Sequence, residues 1–270
     1  MIKDKPSEHQ LPGYGWTLKK LRRWVEQKLE QRVSRSTLRT LLKQAGLSWK
    51  KSKKVLAKAK PQQRAEFVAR FQGYFEQLCQ GKLRLIYVDE AHLHQDLVLG
   101  YRWSAVGEAD WVASYCPPLK NRLDWYGAYD FSQGQCLIWH QEGCDSETTV
   151  AFLHYLAQKW PPDPNQVTYI IWDGASYHSK AAIVRQAAAR LGFSLIQLPS
   201  YSPDLNPIEG LWKWIREELT QHHCFKYLYQ LERACFEFIE RINRDPETII
   251  TRLCPKFDLD PVYEKVLLSF

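Results

Sequence analysis

Two short apolar runs, each closed by an aspartate, constrain this chain most: "LRLIYVD", ending at Asp89, and "VTYIIWD", ending at Asp173. Apolar runs of this length, bounded by Gly or polar residues, read as strands. Between and after them the pattern alternates. "LDWYGAYDF" and "QCLIWHQ" form a hairpin across "SQG", and "YRWSAVG" with "DWVASYC" predicts another. "SETTVAFLHYLAQKW" reads as a helix capped by Ser146, "SKAAIVRQAAARLG" as a helix stopped at Gly192, and "FSLIQLP" as a further strand. This order predicts an α/β fold, a mixed sheet flanked by helices. Sites in open α/β sheets form outside the carboxyl ends of strands, which makes Asp89 and Asp173 candidates. A strand-end aspartate that only caps a loop is common, so a third acidic residue is needed.

That residue is Glu209, in "LPSYSPDLNPIEGLWKWIREEL". Helix-start chemistry offers a competing account: Asn206 as cap, Pro207 at the first helical position and Glu209 reaching back to the cap. Asp204 and Asn206 are candidates for lining the same site, although both also suit turns. His178, five residues after Asp173, is a possible secondary site residue or a helix cap. His92 and His94, with Glu90, are read as surroundings of Asp89, and as hydrogen-bonded structure rather than metal ligands. Tryptophans in these segments, among them Trp212 and Trp214, are read first as core.

The tetrapeptide Asp89-Glu90-Ala91-His92 also matches the acidic motif of helicase ATPases. Such an enzyme needs a glycine-rich loop with Lys before Ser or Thr to cradle phosphates, and the only Gly-Lys pair here is "GKL" at Gly81. Asp89 is therefore read as one carboxylate of a nuclease-type set.

Charge divides the chain. Residues 1–64 hold 18 Lys and Arg against 4 Asp and Glu, a balance of +14, whereas the remainder holds 19 against 26, a balance of −7. Such asymmetry points to a basic module for a polyanion joined to a more acidic body. Leu18, Leu21, Val25 and Leu29 mark one amphipathic helix capped by Thr17. Leu38, Leu41, Leu42 and Ala45 mark a second, capped by Ser34 and stopped at Gly46. Two short helices with a tight turn make a helix-turn-helix, whose second helix would present Arg35, Ser36, Thr37 and Arg39 to a major groove. Lys50, Lys51, Lys53 and Lys54 follow as phosphate contacts. Pro61 opens a connecting helix with Phe67, Phe71, Phe75 and Leu78 on one side.

No apolar stretch reaches the roughly 18 residues of a membrane helix, and the start "MIKDKPSEHQ" has no signal-like core. Seven scattered cysteines without a C-x-x-C pair indicate reduced thiols and argue against a zinc site. A cytoplasmic protein without a membrane partner is expected.

"IYVDE", "IIWDGASYHSK" and "LPSYSPDLNPIEGLWKWIR" resemble the three acidic motifs of the DDE transposases, in particular the bacterial insertion-sequence transposases of the mariner-like superfamily. The resemblance spans roughly residues 17 to 240, and the second and third acids lie 36 positions apart. It implies a ribonuclease H-like (retroviral integrase-like) catalytic domain. The expected division is 1–64 for DNA binding, 65–81 for a connecting helix, 82–225 for catalysis and 226–270 for a C-terminal helical extension. It also implies that Asp89, Asp173 and Glu209 are catalytic and hold two Mg²⁺ ions, with Mn²⁺ able to substitute. Three carboxylates suit such hard cations. The implied reaction nicks transposon ends and joins the 3′-hydroxyl to target DNA, by family habit at TA. The implied partners are inverted-repeat ends, target DNA and a second copy of the chain on DNA, at the bacterial nucleoid. Relatives carry two helical DNA-binding units; only the second is expected here, as in a split reading frame or truncated copy. The alternatives are a regulatory DNA binder that does not cut, and a repair or recombination nuclease of the same fold.

Overall fold

A computed structural model of the chain describes residues 4–50, 60–173, 182–255 and 257. The chain forms two compact units, Met1–Lys54 and Val55–Phe270.

The first unit contains α1 (Leu18–Leu29) and α2 (Arg35–Gln44). Both expected caps form: the Thr17 hydroxyl accepts from the Lys20 amide at 3.3 Å, and the Ser34 hydroxyl from the Thr37 amide at 3.0 Å. Gly46 takes the left-handed conformation, φ 74°, that lets its own amide and that of Leu47 close back onto the last turn of α2. Arg22 bonds the Val33 carbonyl at 3.0 Å and holds the turn between the helices. Of the expected apolar stripes only Leu21 and Leu38 are buried, while Leu29 and Leu41 remain exposed.

The second unit opens with α3 (Pro61–Cys79), whose Phe67 and Phe71 are buried whereas Phe75 is exposed. A five-stranded sheet follows, of β1 (Leu83–His94), β2 (Arg122–Asp130), β3 (Gln135–His140), β4 (Val167–Trp172) and β5 (Phe193–Gln197), in the spatial order β3-β2-β1-β4-β5. β1 and β2, and β2 and β3, pair antiparallel; β4 lies parallel to both β1 and β5. β1 is twice the length of β4, so β4 pairs it only from Leu83 to Tyr87, while β2 accompanies it from Ile86 to His94.

Alternation of side chains along these strands separates two cores. On one face α4 (Ser146–Lys159) and α5 (Ala182–Arg190) cover Ile86, Val88, Tyr126 and Trp172 with Phe152, Leu156, Val184 and Ala188. On the other, Leu85, Tyr87 and Trp125 meet α3, α6 (Glu209–Ile215), α7 (Leu228–Ile242) and α8 (Pro246–Arg252). A π-helical turn, Arg216–Thr220, extends α6. Leu231, Cys235, Phe238 and Ile242 are buried along α7, as its spacing predicts for a packing helix. None of the described helices is long and apolar enough to cross a membrane.

Two expectations fail. Asp145 rather than Ser146 caps α4, accepting from the amides of Glu147 and Thr148 at 2.9 and 2.8 Å, because Ser146 is already the first helical residue. The hairpin of "YRWSAVG" and "DWVASYC" does not form: residues 101–116 hold no strand and turn at 106–108, with Tyr101, Trp103 and Val106 fully exposed. Its alternating apolar residues have no core face to cover, and a two-toothed Arg102–Asp110 ion pair of 2.5 and 2.7 Å closes the segment instead.

The Asp130 carboxylate is fully buried at the end of β2, bonded by Arg84 of β1 at 2.7 Å and by the amides of Ser132 and Gln133. Removing one partner of a buried pair strands the other charge, so Arg84→Met is expected to cost about 3 kcal/mol, read as a lower urea midpoint at unchanged slope.

Candidate active site

Asp89 lies within β1, not at its end. It stands two residues beyond the last β1–β4 pair, Tyr87 with Ile171, where β4 stops and Asp173 follows Trp172. The departure of β4 leaves one edge of β1 without a strand neighbour among the described residues. Asp89 shares its face of the sheet with Tyr87 and Ala91, beneath α6. Glu90, His92 and His94 project from the opposite face, so the two histidines do not surround the Asp89 carboxylate as expected, whereas the charge of Glu90 still acts on it. The His92 ring contacts Asp124 at 2.5 Å, as hydrogen-bonded structure, and His94 is exposed.

Glu209 opens α6 after a chain of tight turns: its amide bonds the Asn206 carbonyl at 3.2 Å, and those of Gly210 and Leu211 bond Pro207 and Ile208 at 2.9 Å. The capping account therefore fails. Asn206 is buried at 3% exposure with its Oδ1 unpaired among the described residues, and no side chain caps α6. Glu209 makes no side-chain hydrogen bond to another described residue and is not consumed by the helix start. Asp204 is also reassigned. It accepts from Arg64 of α3 at 2.7 and 3.2 Å, while Arg64 Nη1 donates to the Phe257 carbonyl at 2.8 Å. This clamp anchors the "SPDL" loop that delivers Glu209. His178 lies outside the described residues.

The three carboxylates feel one another. Burial, then the charges of Glu90, Glu209 and Asp173, raise the pKa of Asp89 well above the ordinary aspartate value, against a bond from Trp212 Nε1 to its Oδ2 at 3.1 Å. Desolvation and the charge of Asp173 raise Glu209, opposed by Arg216. Arg216, seven residues after Glu209, is partly buried; desolvation lowers its pKa while Glu209 and Asp89 favour its charge, and its Nη2 reaches the His92 carbonyl at 3.5 Å. Neither Trp212 nor Arg216 is assigned a site role by the sequence reading. The available signal was spacing, because residues three and seven positions beyond Glu209 share its side of a helix.

Mutually repelling carboxylates at a strand terminus and a helix start are the donor set a hard divalent cation requires. Among the described residues no group of three or more His, Cys, Asp or Glu stands close enough together to hold a metal ion, so the three acids face one another without closing on a common point. In the first unit Arg35, Ser36, Thr37 and Arg39 are all exposed at the start of α2, although the hydroxyls of Ser36 and Thr37 also bond that of Ser34 at 2.7 and 2.8 Å. Lys50 is exposed; Lys51, Lys53 and Lys54 lie outside the described residues.

A family profile described as DDE superfamily endonuclease matches residues 84–232, and one described as winged helix-turn helix matches residues 12–71. An insertion element IS630 39 kDa protein of Shigella sonnei is 21% identical over 249 residues, covering 91% of this chain and 70% of that protein. Among solved structures, the Mos1 mariner paired end complex with Mn aligns at a TM-score of 0.66 and 18% identity, over 94% of this chain and 74% of that one. The Mos1 strand transfer complex aligns at 0.64 and 18%, over 92% and 72%. The sheet order and flanking helices are those of this ribonuclease H-like fold. The chain belongs to the DDE superfamily of endonucleases. A Mos1 mariner paired end complex with Mg aligns as well, at a TM-score of 0.62 and 16% identity, over 96% of this chain and 80% of that one.

A raised carboxylate costs stability when it must ionise. Below the ordinary aspartate value Asp89 is protonated folded and unfolded alike and costs nothing; the penalty grows as pH rises and is complete above the raised folded value. Asp89→Asn is therefore expected to stabilise the metal-free protein at pH 7 by on the order of 1 kcal/mol. The gain should shrink towards zero as pH falls to about 4 in parallel urea titrations.

Proposed function

We propose that the chain nicks the ends of its own mobile element and joins the exposed 3′-hydroxyl to target DNA, with Asp89, Asp173 and Glu209 as the catalytic carboxylates. The observation that carries this reading is their electrostatic coupling across β1, β4 and α6, with Glu209 released from the capping duty that would otherwise explain it. Two Mg²⁺ ions, replaceable by Mn²⁺, would activate the attacking oxygen and stabilise the leaving one when bound by these residues. The protein's own share is positioning. α6 sets Glu209 opposite the sheet, the Arg64–Asp204 clamp fixes the loop before it, and Arg216 places a cation beside the acids. Water is the first nucleophile and the 3′-hydroxyl the second, at TA targets.

Residues 1–64 bind the inverted-repeat ends, with Arg35, Ser36, Thr37, Arg39 and the following lysines on base edges and phosphates. Residues 82–225 carry out the chemistry on nucleoid DNA, and two copies act together on a pair of ends. The basic balance of the first segment and its match to a winged helix-turn helix support the DNA-binding role.

The test is divalent-metal-dependent nicking of supercoiled plasmid bearing the element's flanking ends. The intact protein is expected to nick, and Glu209→Gln to lose at least about a hundredfold in rate while binding DNA equally. Equal binding with no cutting by either protein would leave a regulatory DNA binder, and cutting without joined products a nuclease of the same fold. For the DNA-binding segment, Arg39→Ala is expected to weaken end binding and to reduce the slope of log affinity against log salt by about one if Arg39 meets a phosphate.

A further inference from the structure

Gly127 of β2 is the cross-strand partner of Asp89. A side chain there would rise from the same face of the sheet, about 5 Å from that of Asp89, and would fill the space beside its carboxylate. The space belongs to another residue. A Cβ on Gly127 would lie 2.5 and 2.6 Å from Cζ2 and Cη2 of Trp212, and 3.2 Å from Cδ1 of Ile208. The Cζ2–Cη2 edge of the indole thus lies against bare backbone, the residue only 3% exposed, with its Nε1 donating to Asp89 Oδ2 at 3.1 Å. Trp212 stands one helical turn beyond Glu209 on α6.

We propose that Trp212, seated on Gly127, is the positioning residue that sets Asp89 relative to Glu209 and so presets the metal site; this rests on the assignment of Asp89 as a metal ligand. The contact runs from the helix that carries one carboxylate to the strand that carries another. Sheet and helix therefore cannot slide apart without breaking it. Its chemistry suits the task. An indole N–H donates and never accepts, so it orients one carboxylate oxygen, leaves the other for a cation and offers no competing ligand. Rigid aromatic packing against glycine fixes the donor more tightly than a flexible side chain could. Partners behind a metal ligand typically set affinity or activity by about 10- to 100-fold.

The experiment measures Mn²⁺ binding to the full chain without DNA, by calorimetry and by the loss of the free-ion EPR signal, alongside urea unfolding and the Mn²⁺ midpoint for plasmid nicking. Trp212→Phe keeps an aromatic side chain but removes the donor and the ring edge on Gly127; Gly127→Ala keeps the donor and unseats the ring. Each is expected to weaken Mn²⁺ binding about tenfold and shift the nicking midpoint upward by a similar factor, with the rate at saturating Mn²⁺ within a few-fold of the parent. The double variant should lose no more than the worse single one, because both act through one contact. Asp89→Asn serves as the reference. If it leaves Mn²⁺ binding unchanged, the assignment of Asp89 fails and this inference with it. If Asp89→Asn abolishes binding while Trp212→Phe and Gly127→Ala bind as the parent does, or change only the urea midpoint, the positioning role is overturned and the assignment of Asp89 stands.

Discussion

The pairing of β1 decides where everything else goes. β4 holds it from Leu83 to Tyr87 and β2 from Ile86 to His94, so both edges are paired only at Ile86 and Tyr87 and the rest of its second half is held by β2 alone. The point where β4 leaves is where Asp89 sits and Asp173 follows, so the end of one strand's pairing brings two carboxylates to the same rim. Backbone hydrogen bonding within the sheet holds these strands against the repulsion of their acids. A less constrained scaffold would relax by letting the carboxylates part.

The third carboxylate comes from outside the sheet, and its delivery needs separate fastening. The loop before α6 runs through tight turns and buries Pro207 and Ile208, and Arg64 ties Asp204 to α3. Trp212 and Trp214 then anchor α6 in the core below. On the proposed assignment of these acids, function and stability oppose each other here. The desolvation and charge repulsion that raise Asp89 and Glu209 weaken the metal-free fold, and the same repulsion favours a divalent cation. Arg216 offsets part of the excess negative charge without occupying a carboxylate through a hydrogen bond.

Sequence reading succeeded where the chemistry was local. The apolar runs at Leu83 and Val167, the β2–β3 hairpin, the caps at Thr17 and Ser34 and the buried stripe of α7 are each set by neighbours a few residues away. It failed where a local pattern lacked a partner. "YRWSAVG" and "DWVASYC" alternate as strands do, yet no core face receives them. "NPIE" spells a helix start, yet the chain takes tight turns there and leaves the Asn206 side chain buried and Glu209 uncapped. His92 and His94 were grouped with Asp89 by proximity along the chain, although two-residue periodicity places them on the opposite face.

The sequence by itself determined the inventory: two strand-borne aspartates, a glutamate 36 positions beyond the second, a basic helical segment ahead of them, and a motif order that identifies the family. These are properties of composition, spacing and local propensity, which a one-dimensional string carries in full. Only the tertiary structure decided which of these groups share an environment. That Gly127 lies beside Asp89, that Trp212 fills the gap, that Asp204 pairs with Arg64 and that Arg216 stands among the acids all depend on strand register and on how α6 crosses the sheet. Register and crossing follow from long-range packing between segments tens of residues apart, for which no short stretch of sequence holds the information.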